Sequence, residues 1–108
     1  MVATIAEMAK EFYGALDVAE TAGEKLGNRI LELLKPVLPG LEFGLGWAEA
    51  GIDTLCFSSN LYYASATRRV GLSGILYEFI KDVDIKCPYG VYATSEQAEQ
   101  IRRILKDA

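Results

Sequence analysis

With 108 residues, 51% of them apolar and 24% charged, the chain has the composition of one soluble globular domain spanning 1–108, long enough to bury a core without obligatory disulfides or metals. It contains no histidine, which excludes imidazole triads, imidazole metal sites and the usual neutral-pH general base, so the composition leans away from an enzyme. A net charge of -4 and a pI near 4.8 argue against a general nucleic-acid or anionic-membrane binder.

The first 38 residues predict one long helix, because Ile5, Met8, Phe12, Leu16, Ala19, Leu26, Ile30, Leu33 and Val37 recur at spacings of three, four or seven. Thr4 and Glu7 have the spacing of a capping box, and Pro36 with Pro39-Gly40 marks the stop. Ala15, Ala19, Gly23 and Gly27 stand four apart on this helix and form a ridge of small residues. Glycine in a helix interior costs about 1 kcal/mol against alanine. The ridge therefore implies close packing against a second helix or a symmetry mate, the alternative being a turn at Gly27-Asn28.

From Leu41 the period changes to two: Leu41, Phe43, Leu45 and Trp47 alternate with Glu42, Gly44, Gly46 and Ala48, as in a half-buried strand. The glycines leave the other face bare, which marks a bulge or a close backbone approach more readily than a ligand shelf. Ala50-Gly51 turns into a second strand at 52–57, Ser58-Ser59-Asn60 reads as a tight connection, and Leu61 to Thr67 reads as a third strand pairing back on the second. Thr54 to Thr67 is free of charge and carries Tyr62 and Tyr63. Such a strand pair must be covered, by its own core or by another chain.

Arg68 to Leu72 reads as a loop, and Ser73 as the cap of a short helix over 74–82 with Ile75, Leu76, Phe79 and Ile80 inward. Residues 84–89 read as extended or irregular and Gly90 to Ala93 as a short strand. Thr94 or Ser95 then caps a terminal helix burying Ala98, Ile101, Ile104 and Leu105. The expected architecture is α+β: a long N-terminal helix, an antiparallel sheet of three or four strands, and a short helix and C-terminal helix packed on one face.

The charge is uneven, at -5 over residues 1–54 and +1 over residues 55–108, so only the second half could welcome an anion. Arg68 and Arg69, leading into Ser73-Gly74 at a helix start, make the sharpest candidate for one. Free N–H groups there would meet a phosphate or carboxylate between two guanidinium groups, although the Walker spacing is absent. A cap with the arginines pairing Glu78 or Asp82 is the simpler reading. Tyr62 and Tyr63 beside Arg68 and Arg69 could stack bases, but strand neighbours point to opposite sides and the acidic pI disfavours nucleic acid. Glu42, Glu49 and Asp53 could supply a carboxylate pair, but acids near a turn are ordinarily solvated.

Cys56 and Cys87 read most simply as two buried thiols, with a disulfide, or a metal shared across a dimer, as alternatives. Cys87-Pro88-Tyr89-Gly90 resembles the glutaredoxin active-site tetrapeptide with its second cysteine replaced by glycine. Too little chain follows it for that fold, and Cys87-Pro88 reads instead as a break before the last strand. Residues 1–7 lack a basic leader region, and no charge-free apolar run approaches the roughly 20 residues of a membrane span, so a cytoplasmic protein is expected. The leading expectation is a non-enzymatic protein-interaction or self-associating module, its contact made by Ala15, Ala19, Gly23, Gly27, Tyr62 and Tyr63, with no metal or cofactor. The rival is a binding protein, conceivably an enzyme, holding an anionic small molecule at Arg68, Arg69, Ser73 and Gly74.

Overall fold

The computed structural model describes residues 4–14, 19–48, 51–59, 69–80, 83–87 and 91–108, of which 19–20, 47–48, 51–53 and 69 are described by backbone alone. Helix α1 covers Ile5–Gly14 and α2 covers Ala19–Leu34. The Thr4 hydroxyl accepts the Glu7 N–H at 3.1 Å and the Glu7 carboxylate accepts the Thr4 N–H at 3.3 Å, so the capping box forms as its spacing predicts.

The single long helix does not survive. A continuous helix would hold residues 12 and 23 about 16 Å apart, yet a β-carbon on Gly23 would stand 2.9 Å from Cε1 of Phe12. The chain therefore folds back between α1 and α2, and Ile5, Ala9 and Phe12 are buried together with Ala22, Leu26, Ile30 and Leu34. The apolar phase looked uninterrupted because both helices turn an apolar stripe to the same core. Gly27-Asn28 is no turn, since α2 runs through it. Beyond α2 the Leu41 N–H donates to the Leu38 carbonyl at 3.2 Å around Pro39 and Gly40, and Gly40 takes φ 89°. Proline followed by a residue of positive φ is the order a type II turn demands.

Strands β1 (Leu41–Ala48) and β2 (Gly51–Ser59) form an antiparallel hairpin in the register Phe43 to Phe57 and Leu45 to Leu55, with a bulge between Gly46 and Trp47. Ser58 and Ser59 belong to β2, paired with Glu42 and Leu41, and are not a connection. The expected third strand at Leu61 to Thr67 lies outside the described residues. The neighbour of β2 on its other side is β4 (Asp84–Lys86), and it runs parallel, which makes the sheet mixed, in the order β1-β2-β4. The expected loop at 68–72 contains β3 (Arg69–Gly71), paired antiparallel with β5 (Tyr92–Thr94) in a second, two-stranded sheet.

Helix α3 spans Leu72–Tyr77 and α4 spans Ser95–Asp107. Thr94 caps α4 with a full box to Gln97, at 3.1 Å and 2.9 Å. The described core is one cluster, with Leu26, Ile30, Leu34, Leu55, Phe57, Leu72, Ile75, Ala98 and Ile101 fully enclosed. No helix among the described residues is long and apolar enough to cross a membrane. The α+β class thus holds, with four helices and two sheets among the described residues.

Candidate functional site

Parity divides the larger sheet into two unlike faces. Leu41, Phe43 and Leu45 stand with Leu55, Phe57 and Ile85 on the helix side, where the Phe43 and Phe57 rings lie 5.4 Å apart at 39°. Glu42, Gly44 and Gly46 share the other face with Thr54, Cys56, Ser58, Asp84 and Lys86.

The small residues of α2 explain how closely β1 approaches the helix. A β-carbon on Gly27 would fall within the Phe43 ring, and one on Gly23 would meet Phe12 at 2.9 Å and Leu45 at 3.1 Å. Gly23 and Gly27 are thus covered by their own chain, which corrects their assignment to an intermolecular contact. Ala15, Tyr62 and Tyr63 lie outside the described residues, and Ala19 is described by backbone alone.

Of the expected anion site, the structure describes Ser73, Gly74 and the backbone of Arg69. Helix α3 opens at Leu72 behind Gly71, which provides no side-chain cap, so Ser73 lies inside the helix and does not cap it. The Leu72 N–H is spent on the Val91 carbonyl at 2.9 Å. Gly74 is exposed, Arg69 is described by its backbone paired with Thr94, and Arg68 is outside the described residues. Glu78 pairs with Arg102 of α4, at 3.1 Å.

On the polar face, Gly46 is glycine because a β-carbon there would stand 2.8 Å from Cβ of Thr54, whereas Gly44 has open space above it. Thr54 is buried and its hydroxyl donates to the Asp84 carboxylate at 3.4 Å. Cys56 stands in register with Gly44 on one side and Lys86 on the other. The Cys87 thiol is pushed above its ordinary value by burial, opposed by backbone groups of Ser73, Val91 and Phe57. Of the three acids near the hairpin turn, Glu42 is exposed, Glu49 is outside the described residues and Asp53 is described by backbone alone.

What remains is the outer edge of β1. It is the terminal strand of its sheet, its eight residues Leu41–Ala48 carry a single charge at Glu42, and they include no proline. Among the described residues β2 is its one strand neighbour. Phe43 and Leu45, held against α2 by the glycines, remain half-buried, while Leu41 is fully covered. Alternation in the sequence marks the strand but not its place at an edge: the local sign of the edge is the near absence of charge, and strand order is a tertiary property. A comparison with family models, curated proteins and solved structures finds no match to this chain.

Proposed function

We propose that this chain is a non-enzymatic interaction module that self-associates through the outer edge of β1. The observation that supports this reading is an eight-residue strand, terminal in its sheet among the described residues, with one charged residue and two half-buried apolar side chains beside its outer edge. Unpaired strand N–H and C=O groups are a template for another strand, and edges that must stay single usually carry lysine, proline or a bulge. Here the bulge after Gly46 protects one end and leaves Leu41 to Gly46 regular. The rival reading, an anionic ligand at Arg68, Arg69, Ser73 and Gly74, loses support because Gly71 rather than Ser73 is the N-cap and the first helical N–H, that of Leu72, is taken by the Val91 carbonyl.

Light scattering after size exclusion, run from low to high micromolar protein, tests the proposal. A mass rising from that of the chain to twice that value is the expected outcome. A monomer at every concentration overturns it.

A further inference from the structure

We propose that the partner at this edge is a second copy of the chain, paired antiparallel to β1 about a twofold axis at Gly44; this rests on the self-association proposed above. An antiparallel pair of identical strands related by a twofold places one residue opposite its own copy, and keeps paired residues on the same face of the joined sheet. Centring at Glu42 would set two carboxylates against each other. Centring at Phe43 would set the covered Leu41 against Leu45 and leave less apolar surface to be gained. With Gly44 at the axis, Phe43 of each copy meets Leu45 of the other, so the two half-buried apolar side chains of the strand cover each other twice. Glu42 then faces a glycine, Gly46, and no charge opposes a like charge.

The polar face at the axis is open. A β-carbon on Gly44 meets nothing within 4 Å, so the polar face imposes no obstruction where the two strands would be nearest. The three strands of each copy become one continuous sheet, with the helices of both copies on the same side.

A single cysteine reports the register. Gly44→Cys is made in a Cys56→Ser, Cys87→Ala background, because Cys56 is the register partner of Gly44 within the chain and would otherwise compete for the disulfide. Directly opposed residues of an antiparallel pair lie about 5 Å apart at Cα, within disulfide range. Glu42→Cys in the same background is the control, its two copies lying beyond that range at this register. Under mild oxidation, the expected result is a covalent dimer from Gly44→Cys and none from Glu42→Cys, with the dimer absent when oxidation is run under denaturant. Covalent dimer from Glu42→Cys alone, or from neither variant while light scattering still shows the reduced proteins as dimers, overturns this register and leaves self-association standing. Reduced proteins that circular dichroism shows folded, but that are monomeric together with the unsubstituted chain, overturn both.

Discussion

At Gly27 the Phe43 ring occupies the place of a β-carbon, so one residue couples the helix to the strand that forms the sheet edge. Alanine there would gain about 1 kcal/mol in helix propensity but force the ring, α2 or β1 to move, and overpacking a filled site costs about 1 to 3 kcal/mol. Gly74 is the counterpart, an exposed helical glycine with open space around it. Gly27→Ala is expected to lower unfolding free energy by about 1 kcal/mol or more, and Gly74→Ala to leave it unchanged or raise it by up to about 1 kcal/mol. Urea titration of the two variants decides between steric and intrinsic effects. Equal responses would mean that Phe43 yields without cost. The sequence announced the glycines as demanding a close neighbour; it did not say that the neighbour was a ring of the same chain.

Among the helices and strands, features set by residues a few positions apart are legible in the sequence. The period of two from Leu41 became β1, and the Thr4 and Thr94 caps formed because a capping box needs only residues three apart. What depended on distant residues was lost. The packing of α1 back against α2 leaves no mark in the apolar phase, and Ser73 is not the cap because β3 runs directly into α3, with Gly71 already paired to Tyr92. The parallel pairing of β2 with three residues of β4, 30 positions further on, has no local pattern at all. In the candidate site, Phe43 and Leu45 were legible as an inward face, while their place at an edge was not. Thr94→Ala offers a test at this scale. Removing the hydroxyl leaves the Gln97 N–H without its acceptor at 3.1 Å, and loss of an N-cap costs about 1 kcal/mol. A fall of that size is expected in thermal or urea unfolding, and Thr94→Ser should recover most of it; an unchanged stability would show that water replaces the cap without loss.

Across the whole molecule, Cys87 follows β4 and has backbone groups of Phe57 from the larger sheet, Ser73 from α3 and Val91 at the approach to β5 around its thiol. Burial raises its pKa, the Coulombic effect of Cys56 adds to that, and the backbone groups pull in the opposite direction without prevailing. A raised folded-state value means that the native protein holds the proton more tightly than the unfolded chain does. Its stabilising contribution is therefore complete below the ordinary thiol value of 9.0 and is lost as pH climbs through the folded value. The joined packing of the two sheets should accordingly weaken in alkali through this one thiol. In a Cys56→Ser background, which leaves Cys87 the sole cysteine, unfolding free energy is expected to fall more steeply above the ordinary thiol range than in the Cys56→Ser, Cys87→Ala protein. The comparison cancels lysine and tyrosine titration, which both proteins share. Parallel stability curves for the two proteins would show that the thiolate is accommodated in the native state as readily as in the unfolded one, and that burial at this junction carries no proton linkage.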